Sequence, residues 1–222
     1  MLTKPIPRWI LGGGALLAAC AGCINVVGLL SAQRQTISHL TGTTSLLGLE
    51  IMQGNWTMVG HVAAVFGSFF AGCVGSGLII RHKELRSGYP YGVALMFECG
   101  LLVTACYLLR HESMDGTYFA AMACGLQNGM ATTYSGAVIR TTHVTGIVTD
   151  LGIALGQLAR REQIDRRRMG LYLILFGAFF LGASGGTAGF RFLGYDVLLI
   201  PAFFTGAAGV SYFLFTKRTI HT

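Results

Sequence analysis

The sequence predicts an all-α polytopic membrane protein made of two inverted repeats, each with three transmembrane helices and a short re-entrant or broken helix. Three observations predict it. Of 222 residues, 53% are hydrophobic and only 11% charged, whereas about a quarter of an average soluble protein is charged. Several apolar runs approach or exceed the ~20 residues a helix needs to cross a hydrocarbon core of about 30 Å. Finally, Ser38-His39-Leu40-Thr41-Gly42-Thr43-Thr44-Ser45-Leu46-Leu47-Gly48-Leu49 reads beside Thr142-His143-Val144-Thr145-Gly146-Ile147-Val148-Thr149-Asp150-Leu151-Gly152-Ile153, with His, Thr, Gly, Leu and Gly at matched spacing. Strands of a membrane β-barrel would be about 10 residues long with alternating polarity, and these runs do not alternate.

The net charge of +7 fits the excess of Lys and Arg in cytoplasmic loops of membrane proteins. The expected partner is therefore a lipid bilayer and not nucleic acid. The six cysteines lie within or beside apolar runs, where Cys packs as a small apolar residue. Cys20-x-x-Cys23 lacks the βαβ context of a thioredoxin-like redox motif.

Taken in order, Lys4 and Arg8 precede an apolar run from Trp9 to Leu30. Within it, Leu17-Ala18-Ala19-Cys20 looks like a lipoprotein cleavage box behind a basic stretch. However, Ala19-Cys20 aligns with Ala123-Cys124 at the spacing that aligns His39 with His143. A segment with an internal counterpart is expected to belong to the fold, as a retained span. A polar link from Ser31 to Ser38 leads to the first motif and a short apolar helix ending near Met52. After the turn Gln53-Gly54-Asn55-Trp56, a long run extends from Thr57 to Ile80 and is closed by Arg81, Lys83 and Arg86. Tyr89 to Leu109 forms another span, followed by a polar loop from Arg110 to Gly116.

The second half replays this plan. Thr117 to Val138 answers the first span, and Arg140 to Arg160 answers the motif and its helix. After the charged link Arg161 to Arg168, Met169 to Phe190 answers the third element, and Val197 to Phe215 closes the copy. Phe66-Gly67-Ser68-Phe69-Phe70-Ala71-Gly72 matches Phe176-Gly177-Ala178-Phe179-Phe180-Leu181-Gly182. The chain thus reads as one membrane domain, 1–222, with repeat one at 9–109 and repeat two at 117–216. A period of roughly 100 residues is the internal duplication common in transporter folds. Ser68, Gly72 and Ser76, like Ala178, Gly182 and Gly186, recur every four positions and should let helices approach closely.

Charge bias orients the copies. If both motif helices span fully, Arg34, Arg81, Lys83, Arg86, Arg140 and Arg191 fall outside. If both only dip in and return, Arg34, Arg110 and Arg191 alone do so among 16 Lys and Arg. The positive-inside rule favours the second arrangement, which inverts the second repeat and leaves both termini cytoplasmic in a bacterial inner membrane. A helix from Gly42 to Met52 would be ~16 Å long at 1.5 Å per residue, about half the core; the second could run to Arg160.

Irregular backbone at membrane depth is tolerated where protein buries it or where it lines a wet cavity. Thr41 and Thr145, or Ser38 and Thr142, are suitable N-caps, and Gly42 and Gly146 permit close approach. A helix N-terminus carries about half a positive charge with unpaired N–H groups, which suits an anion or acceptor atom. Candidate solute-binding residues are accordingly His39, Thr41, Gly42 and Thr43 with His143, Thr145 and Gly146, and beyond the motifs Gln127, Asn128, Arg34 and Arg140. Each His has an alternative role as a hydrogen-bonded helix-entry residue. Duplication at matched positions favours solute contact, and two His without a convergent Cys or carboxylate fall short of a metal shell. Arg34 and Arg140 could equally be interfacial anchors. Intramembrane carboxylates are costly, which makes Glu98 and Asp150 candidates for proton coupling, although Asp150 is also explained as a charge near a helix N-terminus. Asn25, Asn128 and Gln127 are expected to hydrogen-bond between helices.

Leu40-Thr41-Gly42-Thr43-Thr44, Gly125-Leu126-Gln127-Asn128 and Thr142-His143-Val144-Thr145-Gly146 together resemble the YoaK-like family, small bacterial membrane proteins of unknown function. The resemblance runs through nearly the whole chain and implies six spans in the inner membrane. It implies no substrate or mechanism. Relatives often carry basic residues in the second motif helix, so Asp150 is a departure that weakens an anion preference.

The leading expectation is a small-solute transporter or channel for a small anionic or polar metabolite, without cofactor or metal. A scaffold or partner subunit of a larger complex is the alternative, and a homo-oligomer is compatible with either. A membrane enzyme is disfavoured by the lack of a nucleophile motif, ligand cluster or paired carboxylates.

Overall fold

Hydropathy without β-periodicity yields helices throughout. The computed structural model describes residues 8–31, 36–80, 88–135 and 141–220. Among these, every regular element is helical: α1 (Arg8–Leu30), α2 (Leu40–Gln53), α3 (Trp56–Ile79), α4 (Gly88–Arg110), α5 (Asp115–Ser135), α6 (Val144–Ala159), α7 (Arg166–Leu193), a 3-10 turn (Gly194–Leu198) and α8 (Leu199–Ile220). Local chemistry sets the boundaries. α2 stops at Gly54, whose φ of 71° only glycine adopts freely, and the Gly54 N–H caps the Glu50 and Ile51 carbonyls. Asn55 then starts α3 by accepting from the Met58 N–H at 3.4 Å. Asp165 starts α7 the same way, accepting from the Arg167 and Arg168 N–H groups at 3.1 Å each.

Four described stretches are long and apolar enough to cross a membrane: Leu11–Leu30, Trp56–Ile79, Tyr89–Arg110 and Arg166–Leu214, the last combining α7 and most of α8. α5 has the length, at 21 residues, but not the apolarity, because Gln127, Asn128 and several Thr interrupt it. It is enclosed by protein instead: Ala120, Ala121, Ala123, Cys124, Leu126 and Gln127 are all fully buried. At 1.5 Å per residue, α2 with 14 residues and α6 with 16 reach roughly 21 and 24 Å, short of a core of about 30 Å.

α1 packs along α7, α3 along α5, and α4 against both α5 and α8. Glycine makes the first two crossings close. A Cβ on Gly22 would strike the Phe179 carbonyl, and one on Gly182 the Ala19 carbonyl; between α3 and α5, Gly72 faces the Met122 carbonyl and Gly125 that of Phe69. Backbones at this distance gain dispersion contacts that hydrophobic burial cannot supply in lipid. The largest core cluster joins Ile24, Ile37, Phe69, Leu102, Leu126 and Leu198, and a second joins Ala18, Ile147, Leu171, Tyr172 and Leu175. Outward-facing side chains are large and apolar, among them Phe70 at 62% exposure, Leu78 at 71% and Phe203 at 70%. That is the surface a hydrocarbon solvent requires.

Candidate functional site

The first motif is approached through the link after α1. Its backbone is pinned by a single atom: Asn25 Oδ1 accepts from the Ile37 N–H at 3.2 Å, the Ser38 N–H at 3.1 Å and the Ser38 hydroxyl at 3.0 Å. Asn25, Ile37 and Ser38 are all buried. The expected interhelical role of Asn25 is thus a helix-to-link role, which places the entry of α2.

Both motif helices begin two residues before the start set by Thr41 and Thr145, and one residue after that set by Ser38 and Thr142. The N-cap positions are held by His39 and His143 and not by a hydroxyl residue, and no side chain caps either helix. The first helical hydrogen bonds run from the Thr43 N–H to the His39 carbonyl at 3.2 Å and from the Ile147 N–H to the His143 carbonyl at 3.1 Å. Motif hydroxyls turn back onto their own helices, Thr43 to the His39 carbonyl, Ser45 to that of Thr41 and Thr149 to that of Thr145. The hydroxyls therefore leave the first-turn N–H groups uncapped. Thr43 is buried, whereas Thr41, Gly42, Thr145 and His143 are exposed.

The two His differ in setting. The half-buried His39 ring lies 5.8 Å from the Phe179 ring of α7, tilted by 45°. The His143 ring folds over its own first turn, so that a Cβ at Gly146 would collide with the imidazole. A side chain at Gly146 would have to displace the exposed His143 ring, while Gly42 has nothing closer than the Thr36 hydroxyl at 4.0 Å. Among the described residues α2 and α6 do not touch; α2 packs on α3 and α6 on α7. Phe179 of α7 meets His39, and α7 also carries Leu171, Tyr172 and Leu175, which share a core cluster with Ile147 of α6.

The remaining candidates scatter. Arg34 and Arg140 lie outside the described residues. Gln127 is fully buried and donates from Nε2 to the Leu17 carbonyl of α1 at 2.7 Å, the expected bond between helices. Asn128 Oδ1 is buried without a hydrogen-bond partner. Glu98 is fully buried in α4, and neither carboxyl oxygen has a partner. Asp150 instead accepts from Arg168 Nη2 at 3.1 Å; Arg168 also donates from Nε to the Tyr172 hydroxyl at 2.8 Å. These groups line a cavity of about 210 Å³ between α6 and the start of α7. One pair had no signal in the sequence: His61 Nδ1 and the Tyr118 hydroxyl share a hydrogen bond at 2.9 Å between α3 and α5. Among the described residues no three His, Cys, Asp or Glu side chains converge as metal ligands would.

The chain belongs to the family described as "Protein of unknown function (DUF1275)", whose model matches residues 13–211. No curated protein matches the chain, and no solved structure does.

Proposed function

We propose that this DUF1275 member is a small-solute transporter or channel, with its site between the N-termini of α2 and α6 near the membrane midplane. The observation that carries the reading is the pair of matched helix starts, each with a His at the N-cap and an uncapped first turn, both on helices that pack beside α7 or α3 of the bundle. Such starts offer N–H donors and positive dipole ends to a small anionic or polar metabolite. They are the half-helix device of transporters with internal repeats.

The inverted-repeat architecture belongs to the same proposal. In its support, α1 meets α7 as α5 meets α3, through glycine against carbonyl at both crossings, and α2 and α6 are too short to span. The YoaK-like name, six crossings, a bacterial inner membrane and two cytoplasmic termini complete the reading. Cysteine labelling at Arg86→Cys tests the topology: labelling from the cytoplasmic side is expected, and periplasmic labelling refutes inversion.

For function, the test is flux into proteoliposomes from a panel of small anions and neutral polar solutes. At least one should enter. His39→Ala together with His143→Ala should slow that flux roughly tenfold or more, the scale of a lost hydrogen bond to a charged group. No uptake across the panel, or uptake unchanged by the double substitution, removes the transport reading and leaves a scaffold or partner subunit.

A further inference from the structure

Glu98 takes no part in the motif site, yet it is the most deeply buried acid among the described residues. Its surroundings can be located by register. α4 and α5 form an antiparallel hairpin, and at its closed end Gly116 abuts Leu109, where an added Cβ would come within 2.6 Å of the Leu109 side chain. From that contact, Glu98 lies eleven residues along α4 and Gln127 eleven along α5. Eleven residues are about three helical turns, so both side chains return to the face on which Leu109 and Gly116 meet, at the same level. Both are fully buried. Cys124, one turn before Gln127, and Cys20 of α1 both lie within the electrostatic reach of the Glu98 carboxyl.

The polar atoms at this level are unbalanced. Gln127 spends an N–H on the Leu17 carbonyl, which orients its amide and leaves Oε1 buried without a partner. Glu98 adds two more buried, unpartnered oxygens. These three atoms are all acceptors, and no hydrogen bond reaches them from the second N–H of Gln127 or from the neighbouring thiols. An ionised carboxylate left unpaired in such a place is strongly disfavoured, and an unmatched buried amide oxygen adds to the cost. A single proton corrects both faults, because a carboxylic acid gains an O–H donor that can serve the amide oxygen. A hard metal ion, which takes about six oxygen ligands or more, would be left half-ligated.

We infer that Glu98 and Gln127 form a proton-binding pair in the bundle core. A cavity of about 90 Å³ lies between α1, α4, α5 and α8, lined by Leu17, Cys20, Leu95, Met130, Tyr91 and Tyr212, and it stops short of Glu98 and Gln127, which are fully buried. Leu17 is the residue that holds Gln127, and Leu95 is one turn from Glu98. The titratable groups facing Glu98 are thiols, Cys20 from α1, Cys124 from α5 and Cys99 on its own helix. On α8 the titratable side chain between Leu199 and Leu214 is the phenol of Tyr212, which with Tyr91 of α4 lines the cavity; neither is basic. No basic partner therefore competes for the carboxyl. As a proton site the pair is independent of the motifs; that its proton drives solute movement rests on the transport reading above.

The test is infrared difference spectroscopy of the full chain in lipid nanodiscs, across pH and without added solute, reading the C=O stretch of a protonated carboxyl. Above the acidic range in which exposed carboxyls protonate, the wild type should show one such band that responds to pH, and the comparisons below are made in that range. Glu98→Gln should lose it, and Gln127→Leu should keep it at a shifted frequency, because the acid loses its acceptor. A band surviving in Glu98→Gln, or unmoved by Gln127→Leu, overturns the pairing. A band displaced by sodium at constant pH assigns the site to a metal cation and overturns the proton. Should Glu98→Gln not fold, Gln127→Leu carries the test alone. Flux assays are separate: a panel without uptake leaves the infrared result standing.

Discussion

Replacing Asn25 by Leu asks whether one side-chain atom places the first motif. Leu keeps the branched shape of Asn, so packing of α1 changes little. What disappears is Oδ1, the acceptor for the Ile37 N–H, the Ser38 N–H and the Ser38 hydroxyl. The hydroxyl can rotate to another acceptor, but the two backbone donors cannot. Ile37 is 1% exposed and Ser38 5%, so water does not reach them without the link lifting away. Each stranded buried donor costs about 1–3 kcal/mol, which puts the expected loss on the order of 3 kcal/mol or the cost of local opening, whichever is smaller. Hydrogen exchange read by mass spectrometry over residues 36–43 measures it. Asn25→Leu should expose the Ile37, Ser38 and first-turn amides, with exchange faster by two orders of magnitude for about 2.7 kcal/mol. Asn25→Asp keeps the acceptor and should restore most of the protection. Wild-type exchange in Asn25→Leu would refute the pinning of the link by this atom.

Two further outcomes follow from packing and charge. Gly182→Ala and Gly72→Ala each drive a methyl into a facing carbonyl, an overpacking that typically costs 1–3 kcal/mol. Both should lower the thermal midpoint in detergent, while Gly177→Ala, with open space around it, should not; equal midpoints for all three would deny that glycine sets the helix spacing. Arg168→Ala should loosen α6 on α7 with little global effect, because the ion pair with Asp150 is 52% and 40% exposed, and pairs this wet contribute under about 1 kcal/mol. Faster exchange confined to α6 is expected, and a large drop in the midpoint would mean that the Tyr172 hydrogen bond at 2.8 Å matters more than its exposure implies.

Much of the fold was legible because its signals are local. The spans read from hydropathy agree with α1, α3, α4, α7 and α8 to within a few residues, and Gly72, Gly182 and Gly186, picked out for close packing, lie in tight contacts. The candidate site was legible only in part. The motif starts were correctly placed as helix starts, but N-cap preference pointed to Thr41 and Thr145, while the structure puts His39 and His143 there. Propensity describes an isolated terminus. Here the Asn25 bonds and the Phe179 contact position the chain before the cap is reached.

By itself, the sequence determined an all-helical chain with helices able to cross a membrane, the use of one motif twice and the small residues that let helices meet. Each of these depends on composition or on spacing along one segment. Only the tertiary structure decided that Asn25 serves the link, that Asp150 is held by Arg168, that His39 meets Phe179 and that Glu98 and Gln127 are both fully buried. Such pairings depend on the rotation and axial register of one helix against another. A shift of one residue turns a side chain by about 100°, and sequence periodicity marks a face without naming what that face meets.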